Sequence, residues 1–255
     1  MIEIKTPAQI AQMREAGRIV ARALAAMKAG AAVGVAPKEL DAVAAGVLAD
    51  AGATSPFLDY HPGWAPVPFP ATLCFSANDA VVHGIPGSTP LADGDLVSLD
   101  FGAILDGWAG DAAISFVVGE ADPADLDLIA ATESALHAGI AQAVPGNKLG
   151  DVAHAIGTVA RGAGYGLLAD HGGHGIGRTM HEDPHVPNEG RAGRGLTLRP
   201  GLVLAIEPML IAGGIDDYVT DPDGWTLRTV DGSRAAHVEH TVAITEDGPQ
   251  ILTLE

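Results

Sequence analysis

Two apolar segments joined by Asp106-Gly107 constrain the fold more strongly than any other part of this chain. An Asp-Gly pair between such segments is a strong signal for a two-residue hairpin turn. If these two residues form the turn, Gly102 lies directly opposite Asp111. The sequence therefore predicts an antiparallel hairpin built from residues 95–105 and 108–118.

The predicted hairpin places two carboxylates on one face. Side chains alternate along a strand, so Asp100 shares a face with Gly102 and lies diagonal to Asp111. Diagonal neighbours are roughly 7–8 Å apart, and carboxylates at that separation could hold two divalent ions about 3.5–4 Å apart. Two solvated acids on an exposed face are the alternative, and a turn one residue longer would separate the pair.

Two glutamates extend this set. Glu207 ends the apolar run Leu-Val-Leu-Ala-Ile, and Glu239 lies in a second strand-like segment, residues 237–245. A buried carboxylate is costly unless it is paired or bound to a cation. Taken singly, each is more typical of an edge strand than of a metal ligand. Together with the hairpin pair, they supply four carboxylates from four predicted strands.

Histidines provide further candidate ligands. Four of the ten histidines fall in one glycine-rich segment, and a fifth candidate precedes a Gly-Ile-Pro sequence: His171, His174, His181, His185 and His83. His137 and His154 lie in predicted helices and are interpreted as structural or surface residues. One or two imidazoles beside several carboxylates favour Mn²⁺, Fe²⁺ or Co²⁺ over a thiolate-type zinc site.

The sequence from His181 to His185 matches the H-E-x-x-H pattern of zinc proteases. That pattern requires a helix, and Pro184 would destabilise such a helix by about 3 kcal/mol or more. We therefore interpret the match as coincidental.

Four helices and several strands are predicted around these residues. Thr6, Pro7 and Gln9 form a helix start with a capping box. The expected helices begin at residues 7, 37, 123 and 149, and the further strands are 71–76, 202–209 and 225–230. Residues 60–70 read as a proline-rich loop, and 171–200 as irregular structure or short strands.

A weak internal repeat suggests two related halves. A His-Gly-Ile sequence leads in each half to a glycine, an apolar strand, and an acid six positions past that glycine: Gly94 with Asp100, and Gly201 with Glu207. No linker-like segment divides the chain, so we expect one α+β domain over residues 1–255, with halves of roughly 1–120 and 121–255.

Composition excludes several classes of protein. The formal net charge is −18, which argues against an extended DNA- or RNA-binding surface. No apolar run is long enough to span a bilayer, and no signal peptide is visible. With Cys74 as its one cysteine, the chain cannot be a disulfide scaffold. We expect a cytoplasmic, monomeric protein.

The ordered motifs of the whole chain resemble those of bacterial type I methionine aminopeptidases of the M24 metallopeptidases. They are His83-Gly-Ile-Pro86, Asp100, Gly110-Asp111, Gly173-His174-Gly-Ile-Gly177, Ile206-Glu207-Pro208 and Val238-Glu239-His240-Thr241. The resemblance implies the pita-bread fold, in which a curved antiparallel sheet is flanked by helix pairs in two pseudo-symmetric halves.

The resemblance also implies the site residues. It assigns two divalent ions (Mn, Fe or Co) to five ligands: Asp100, Asp111, His174, Glu207 and Glu239. Glu207 would also be the general base and proton shuttle, and His181 would contact the substrate carbonyl. His83 would contact either the scissile amide or the proton that passes to the leaving amine. Two such ions lower the pKa of a bridging water, and a positioned carboxylate can transfer its proton.

An enzyme that removes N-terminal methionine needs an apolar pocket for the methionine side chain. Aromatic rings and sulfur atoms suit the walls of such a pocket, because they make favourable contacts with a thioether. The wall candidates are Tyr60, Phe69, Cys74, Met180 and Trp225, and core packing is the alternative for each. The loop from Tyr60 to Cys74 is longer and richer in proline than the common short form. Whether Trp64 or Phe69 faces the pocket therefore stays open.

Partners and alternatives follow from this resemblance. The expected substrates are nascent chains and peptides with N-terminal methionine and a small second residue. Arg14, Arg18 and Arg22 could contact ribosomal RNA, although a solvated helix face is the favoured interpretation. The competing hypotheses are an Xaa-Pro aminopeptidase or prolidase of the same fold, and a binding protein that lost the site.

Overall fold

The computed structural model describes residues 2–255, in which four helices accompany an eight-stranded antiparallel sheet and two smaller sheets. The helices are α1 (Pro7–Gly30), α2 (Pro37–Ala51), α3 (Pro123–Gln142) and α4 (Leu149–Gly162). The strands of the first half are β1 (Cys74–Ala77), β2 (Ala80–Val82), β3 (Leu96–Leu105) and β4 (Trp108–Val117). Those that follow are β5 (Gly166–Leu167), β6 (Gly172–Gly175), β7 (Glu182–Pro187), β8 (Val203–Ile206), β9 (Met209–Ile211), β10 (Tyr218–Thr220), β11 (Leu227–Thr229), β12 (Ala235–His237), β13 (Glu239–Thr245) and β14 (Gly248–Ile251).

The predicted hairpin is confirmed in its register. Strands β3 and β4 pair antiparallel, with Gly102 opposite Asp111 and Asp100 opposite Ala113. Asp106 and Gly107 take φ values of 51° and 74°, which is the left-handed geometry of a two-residue hairpin turn. The two carboxylates therefore lie on one face of the sheet.

The order of strands in the large sheet places the two halves side by side. That order is β1-β3-β4-β13-β8-β6-β7, with β14 paired to β13. Strands β4 and β13 meet in the middle, where Glu239 lies opposite Ala113. Helices α1 and α2 pack on the side of the first half, and α3 and α4 on that of the second.

The helices begin where the sequence predicts. The hydroxyl of Thr6 accepts from the backbone N–H of Gln9, and the Gln9 side chain accepts from that of Thr6. Pro37 and Pro123 occupy first turns, and Gly52 ends α2 at a φ of 65°. The prediction succeeded because these signals are local in sequence. Arg18 and Arg22 are exposed on α1, where Arg18 pairs with Glu15, whereas Arg14 is half-buried.

The strand predictions needed three corrections. The run 202–209 is two strands, because Pro208 lacks a backbone N–H and interrupts the ladder after Ile206. The run 237–245 divides at Val238 between β12 and β13. The runs 71–76 and 225–230 are shorter than predicted, with strands only at 74–77 and 227–229.

The H-E-x-x-H segment is not helical, as expected from its proline. Residues Glu182–Pro187 form β7, which pairs with β6. Glu182 forms an ion pair with Lys5 at 2.6 Å rather than facing a metal site with the two histidines. Among residues 2–255, no helix is long and apolar enough to cross a membrane.

Candidate metal centre and substrate cavity

Four carboxylates converge because neighbouring strands bring them to one face of the sheet. Asp100 and Glu239 both lie opposite Ala113, which offers only a methyl group between them. Asp111 is two positions from Ala113 on the same strand, and therefore on the same face. Glu207 follows the last residue of β8. All four are assigned by the sequence to a metal site, and the structure brings them together.

His174 lies beside this group. Its Nε2 atom is 3.5 Å from Oε1 of Glu207 and 3.9 Å from Oδ2 of Asp111. The other ring nitrogen, Nδ1, is 2.9 Å from the carbonyl oxygen of Gly175. A carbonyl only accepts hydrogen bonds, so Nδ1 carries the proton and the neutral ring presents the lone pair of Nε2 to the carboxylates.

Burial dominates the electrostatics of the cluster. It raises the pKa of Asp100 to about 7, against the opposing effect of His237, and that of Glu207 to about 8. Burial also raises the pKa of Asp111 and Glu239 well above their usual range. The same effect lowers the pKa of His174 to about 3. Within the described part of the chain, the four buried carboxyl groups and the neutral imidazole therefore have no positive charge beside them that would stabilise the ionised carboxylates.

The unpaired atoms of the cluster fit divalent cations. Oδ1 of Asp100, Oδ1 of Asp111 and Oε1 of Glu239 are buried and have no hydrogen-bond partner. Within residues 2–255, no lysine or arginine forms an ion pair with the four carboxylates. Such atoms cost free energy unless a cation compensates them. An oxygen-rich set with one imidazole suits a metal of borderline hardness.

A cavity of about 750 Å³ opens above the cluster. Its aromatic and sulfur-bearing walls include four predicted pocket residues, Tyr60, Phe69, Cys74 and Trp225, together with Phe57 and Trp64. Both open candidates, Trp64 and Phe69, face it. Trp64 is 62 % exposed whereas Phe69 is buried.

Met180, the fifth predicted wall residue, does not line the cavity. It is buried and packs against Gly102, because Gly102 has no side chain to occupy that space.

His83 and His181 also line the cavity. His83 follows β2 with a φ of 60°, an uncommon conformation that often marks functional sites. Its Nδ1 atom is buried without a partner, and burial lowers its pKa to about 3. The ring of His181 is 4.5 Å from that of His174 and 5.5 Å from that of Tyr60.

The remaining candidates divide between the cavity and the surface. His171 and His185 line the cavity, and the ring of His171 lies 6.1 Å from that of His83. His137 and His154 lie on exposed faces of α3 and α4, as expected.

Sequence reasoning missed His237. This residue is 2 % exposed, and its Nε2 atom is 3.4 Å from Oε2 of Glu207. Ligand atoms of Glu207, His237 and Glu239 all lie within 4.8 Å of one another. His237 ends β12 and Glu239 begins β13, so the alternation of side chains within one strand does not link the two, and no local signal pointed to His237.

Comparisons with known proteins agree with this site. Residues 11–246 match the model of metallopeptidase family M24. The chain is 53 % identical to methionine aminopeptidase 1 of Mycobacterium tuberculosis over 98 % of this chain and 94 % of that protein. It superimposes on methionine aminopeptidase from Thermotoga maritima with a TM-score of 0.95 and 40 % identity, covering all of both chains.

A more distant match shows the fold alone. Prolidase from Pyrococcus furiosus has a TM-score of 0.76 at 23 % identity, covering 99 % of this chain and 65 % of that one. The match shows that the pita-bread architecture is common to both. The four carboxylates, the orientation of His174 and the extent of the sequence match lead to one assignment: the chain belongs to metallopeptidase family M24, within its bacterial type I methionine aminopeptidases.

Proposed function

We propose that the protein hydrolyses the N-terminal methionine from peptides and nascent chains with a small second residue, using two divalent metal ions. The observation that carries this proposal is the convergence of four buried carboxylates and His174 below an aromatic cavity. The relatives named methionine aminopeptidase support the same activity.

Five residues would hold the ions: Asp100, Asp111, His174, Glu207 and Glu239. Two bound ions of this kind supply hydroxide near neutral pH and polarise the scissile carbonyl. The mixture of oxygen and nitrogen ligands admits manganese, iron or cobalt.

Glu207 is the proposed general base. Its raised pKa, about 8 before cations bind, shows how strongly burial favours the protonated carboxyl. A carboxylate in that environment can take a proton from water and deliver it to the leaving nitrogen. Glu207 also lies at the junction of β8 and β9, where Pro208 removes a competing backbone donor.

Two histidines would contact the scissile peptide. His83 has an unpartnered Nδ1 and is proposed to bind the amide nitrogen. His181, next to the ring of His174, is proposed to donate to the substrate carbonyl oxygen. Neither ring would bring a permanent positive charge into the cavity near pH 7, because burial lowers the pKa of both.

The methionine side chain would lie against Tyr60, Phe69, Cys74 and Trp225. The ring of Phe69 meets that of Trp225 edge to face at 5.1 Å, which forms an apolar corner. A thioether makes favourable contacts with ring edges of this kind. This pocket would select methionine, and binding of the free amine by the ions that the carboxylates hold would restrict cleavage to chain ends.

The proposal extends to cellular context and organisation. We propose a monomer that acts in the cytoplasm on emerging chains, with any ribosome contact transient. We also propose one domain whose halves, roughly residues 1–120 and 121–255, supply two carboxylates each. The order of the central sheet supports this division, because β4 and β13 meet in its middle.

The test is a peptide panel with manganese-loaded protein. Met-Ala-Ser should release free methionine, Met-Leu-Ser should react much more slowly, and Ala-Pro-Ser should not react. Preferred cleavage of Ala-Pro-Ser would favour the prolidase hypothesis instead. A protein that binds manganese but cleaves none of the three would favour the hypothesis of a non-enzymatic binding protein.

A further inference from the structure

A second cavity, of about 460 Å³, adjoins the first one. Both cavities are lined by Trp64, His83 and His171. The rest of the second cavity is formed by Pro66, Tyr218, Thr220, Gly224 and Leu227, so no acidic or permanently charged basic side chain lines it. The volume is within the range of sites that bind small ligands.

The proline-rich loop that carries Trp64 is held in place by contacts with the turn before β11. The indole N–H of Trp225 donates to the carbonyl oxygen of Val67 at 2.9 Å. Gly224 takes a φ of 79°, and a side chain at that position would overlap Pro66, so the loop packs directly on the turn before β11. The ring of Trp64 meets that of Trp225 at 5.0 Å, yet Trp64 is 62 % exposed. A large exposed aromatic ring beside a cavity is a common feature of binding sites.

We propose that the second cavity binds the peptide beyond its second residue, and that Trp64 makes an apolar or aromatic third residue favourable. This inference rests on the proposed aminopeptidase function. The substrate amine would lie at the ions held by the carboxylates, and the methionine side chain near Phe69. The chain would then leave past His83, which belongs to both cavities.

The experiment compares two peptide amides of equal charge, Met-Gly-Phe and Met-Gly-Gln. The wild-type kcat/KM should be about tenfold higher for the phenylalanine peptide. Trp64→Ala should lower kcat/KM for that peptide about tenfold more than for the glutamine peptide. Val67→Ala is the matched control, because Val67 is an exposed residue of the same loop whose side chain lines neither cavity.

Two results would overturn this inference: equal kcat/KM for both peptides in the wild type, or an equal loss for both in Trp64→Ala. Failure of the proposed function is a different result, because the wild type would then release methionine from neither peptide.

A second, independent observation concerns the environment of Glu207. Its two carboxylate oxygens face two different imidazoles: Oε1 is 3.5 Å from Nε2 of His174, and Oε2 is 3.4 Å from Nε2 of His237. His237 is buried, and its Nε2 has no hydrogen-bond partner. The serine hydroxyls of β3 and β4 hold its backbone N–H, at 3.3 Å from Ser98 and 3.1 Å from Ser115.

We infer that His237 is a positioning residue for Glu207. Its Nε2–H would donate to Oε2, which would leave Oε1 to hold an ion together with His174. This inference likewise rests on the proposed metal site. Groups that orient metal ligands in this way commonly change metal affinity or activity 10- to 100-fold when they are removed.

The test uses two variants of His237 and measures manganese dissociation constants by titration calorimetry. His237→Leu removes the donor and should weaken manganese binding about 10-fold or more. His237→Gln keeps an N–H donor and should stay within about threefold of the wild type. His240→Leu is the control, because His240 faces away from the cluster and bonds to Thr253.

An effect of His237→Leu no larger than that of His240→Leu would overturn the inference. Equal losses in His237→Leu and His237→Gln would also overturn it, since the ring nitrogen would then act as a direct ligand. A wild type that binds no manganese would instead count against the proposed function.

Discussion

Glu207 is the carboxylate of the cluster that lies between two imidazole rings. Its carboxylate is buried, has an imidazole near each oxygen, and belongs to a set of acids whose pKa values burial raises. Because burial disfavours its ionised form, this carboxylate gains stability either by binding a cation or by taking up a proton. The two roles can be separated by a variant that keeps the shape of the side chain.

Glu207→Gln should therefore lose turnover while the cavity keeps its shape. We expect kcat to fall by roughly 10²–10⁴-fold, the usual contribution of a general base, with a smaller change in KM. The measurement is methionine release under saturating manganese, with His240→Gln as a matched control. Unchanged kcat in Glu207→Gln would remove this residue from the mechanism.

Thr241 fixes Asp111 through two hydrogen bonds. Its hydroxyl accepts from the backbone N–H of Asp111 at 3.0 Å and donates to the carbonyl oxygen of the same residue at 2.8 Å. The side chain thereby continues the pairing of β4 with β13 beyond their last shared ladder position.

Thr241→Val should lower the free energy of unfolding by about 1–3 kcal/mol, because it leaves buried backbone groups unpaired. Thr245→Val, at the far end of β13, is the control and should cost less, since its hydroxyl bonds a partly exposed turn. Denaturant unfolding curves provide the measurement. A smaller loss in Thr241→Val than in Thr245→Val would contradict the prediction.

The positions of site residues could be predicted where a short turn fixes the strand register. They could not be predicted where strands distant in sequence pair. The separation of Asp100 and Asp111 follows from a two-residue turn. His237 reaches Glu207 because β12 pairs with β9, with His237 opposite Met209. No local pattern encodes that pairing. Met180 was expected at the pocket wall, but its side chain lies against Gly102 instead. The space beside Gly102 is visible only in three dimensions.

Helix α1 depends on one glycine where it meets the sheet and the chain terminus. A methyl group at Gly17 would overlap the carbonyl oxygen of Leu252, and one at Gly110 of β4 would lie 3.0 Å from the backbone nitrogen of Gly17. The helix can therefore lie directly against the backbone of its neighbours. Gly46 of α2 has nothing within 4 Å of the corresponding position.

These two glycines form a matched pair for an alanine test. Gly17→Ala should destabilise the fold by about 1–3 kcal/mol, because it overpacks a closed contact. Gly46→Ala should instead stabilise it by about 0.5–1 kcal/mol, through helix propensity alone. Thermal unfolding of both variants checks the sign of each effect. Stabilisation by Gly17→Ala would show that the close packing of α1 is incorrect.

Elements with their own sequence signals were predictable, and elements without them were not. Helices α1, α2 and α3 begin with a proline, and α4 has Asp151 in its first turn, so the predicted starts agree with those observed. Strands β6 and β7 lie in a segment rich in glycine, histidine and proline, where no alternation of apolar residues exists. They form strands because β8 offers an edge to β6 and β6 offers one to β7.

Four buried carboxyl groups with raised pKa values lie together at the centre of the largest sheet. A carboxyl whose pKa is higher in the folded state binds more protons when folded, so folding stability falls as pH rises through that range. For Asp100 and Glu207 this range runs from their ordinary values of 3.8 and 4.5 up to about 7 and about 8. Bound cations remove this effect by favouring the ionised form.

The stabilisation that manganese gives should therefore increase with pH. We expect the difference in Tm between loaded and metal-free protein to grow from pH 6.5 to pH 8.5. His83 and His174 titrate in the opposite sense: their lowered pKa values cost stability as pH falls below about 6.5, which is why the difference is compared only above that pH. A Tm difference that is constant with pH would contradict this account.

We propose that the carboxylate cluster and His174 together hold the ions needed for methionine release. The most direct measurement titrates metal-free protein with manganese under anaerobic conditions and follows free methionine from Met-Ala-Ser. We expect no release without metal, and release that rises with manganese to a plateau in the wild type but not in a His174→Ala variant. Full release in the presence of chelator, or an unchanged titration in His174→Ala, would contradict the proposal.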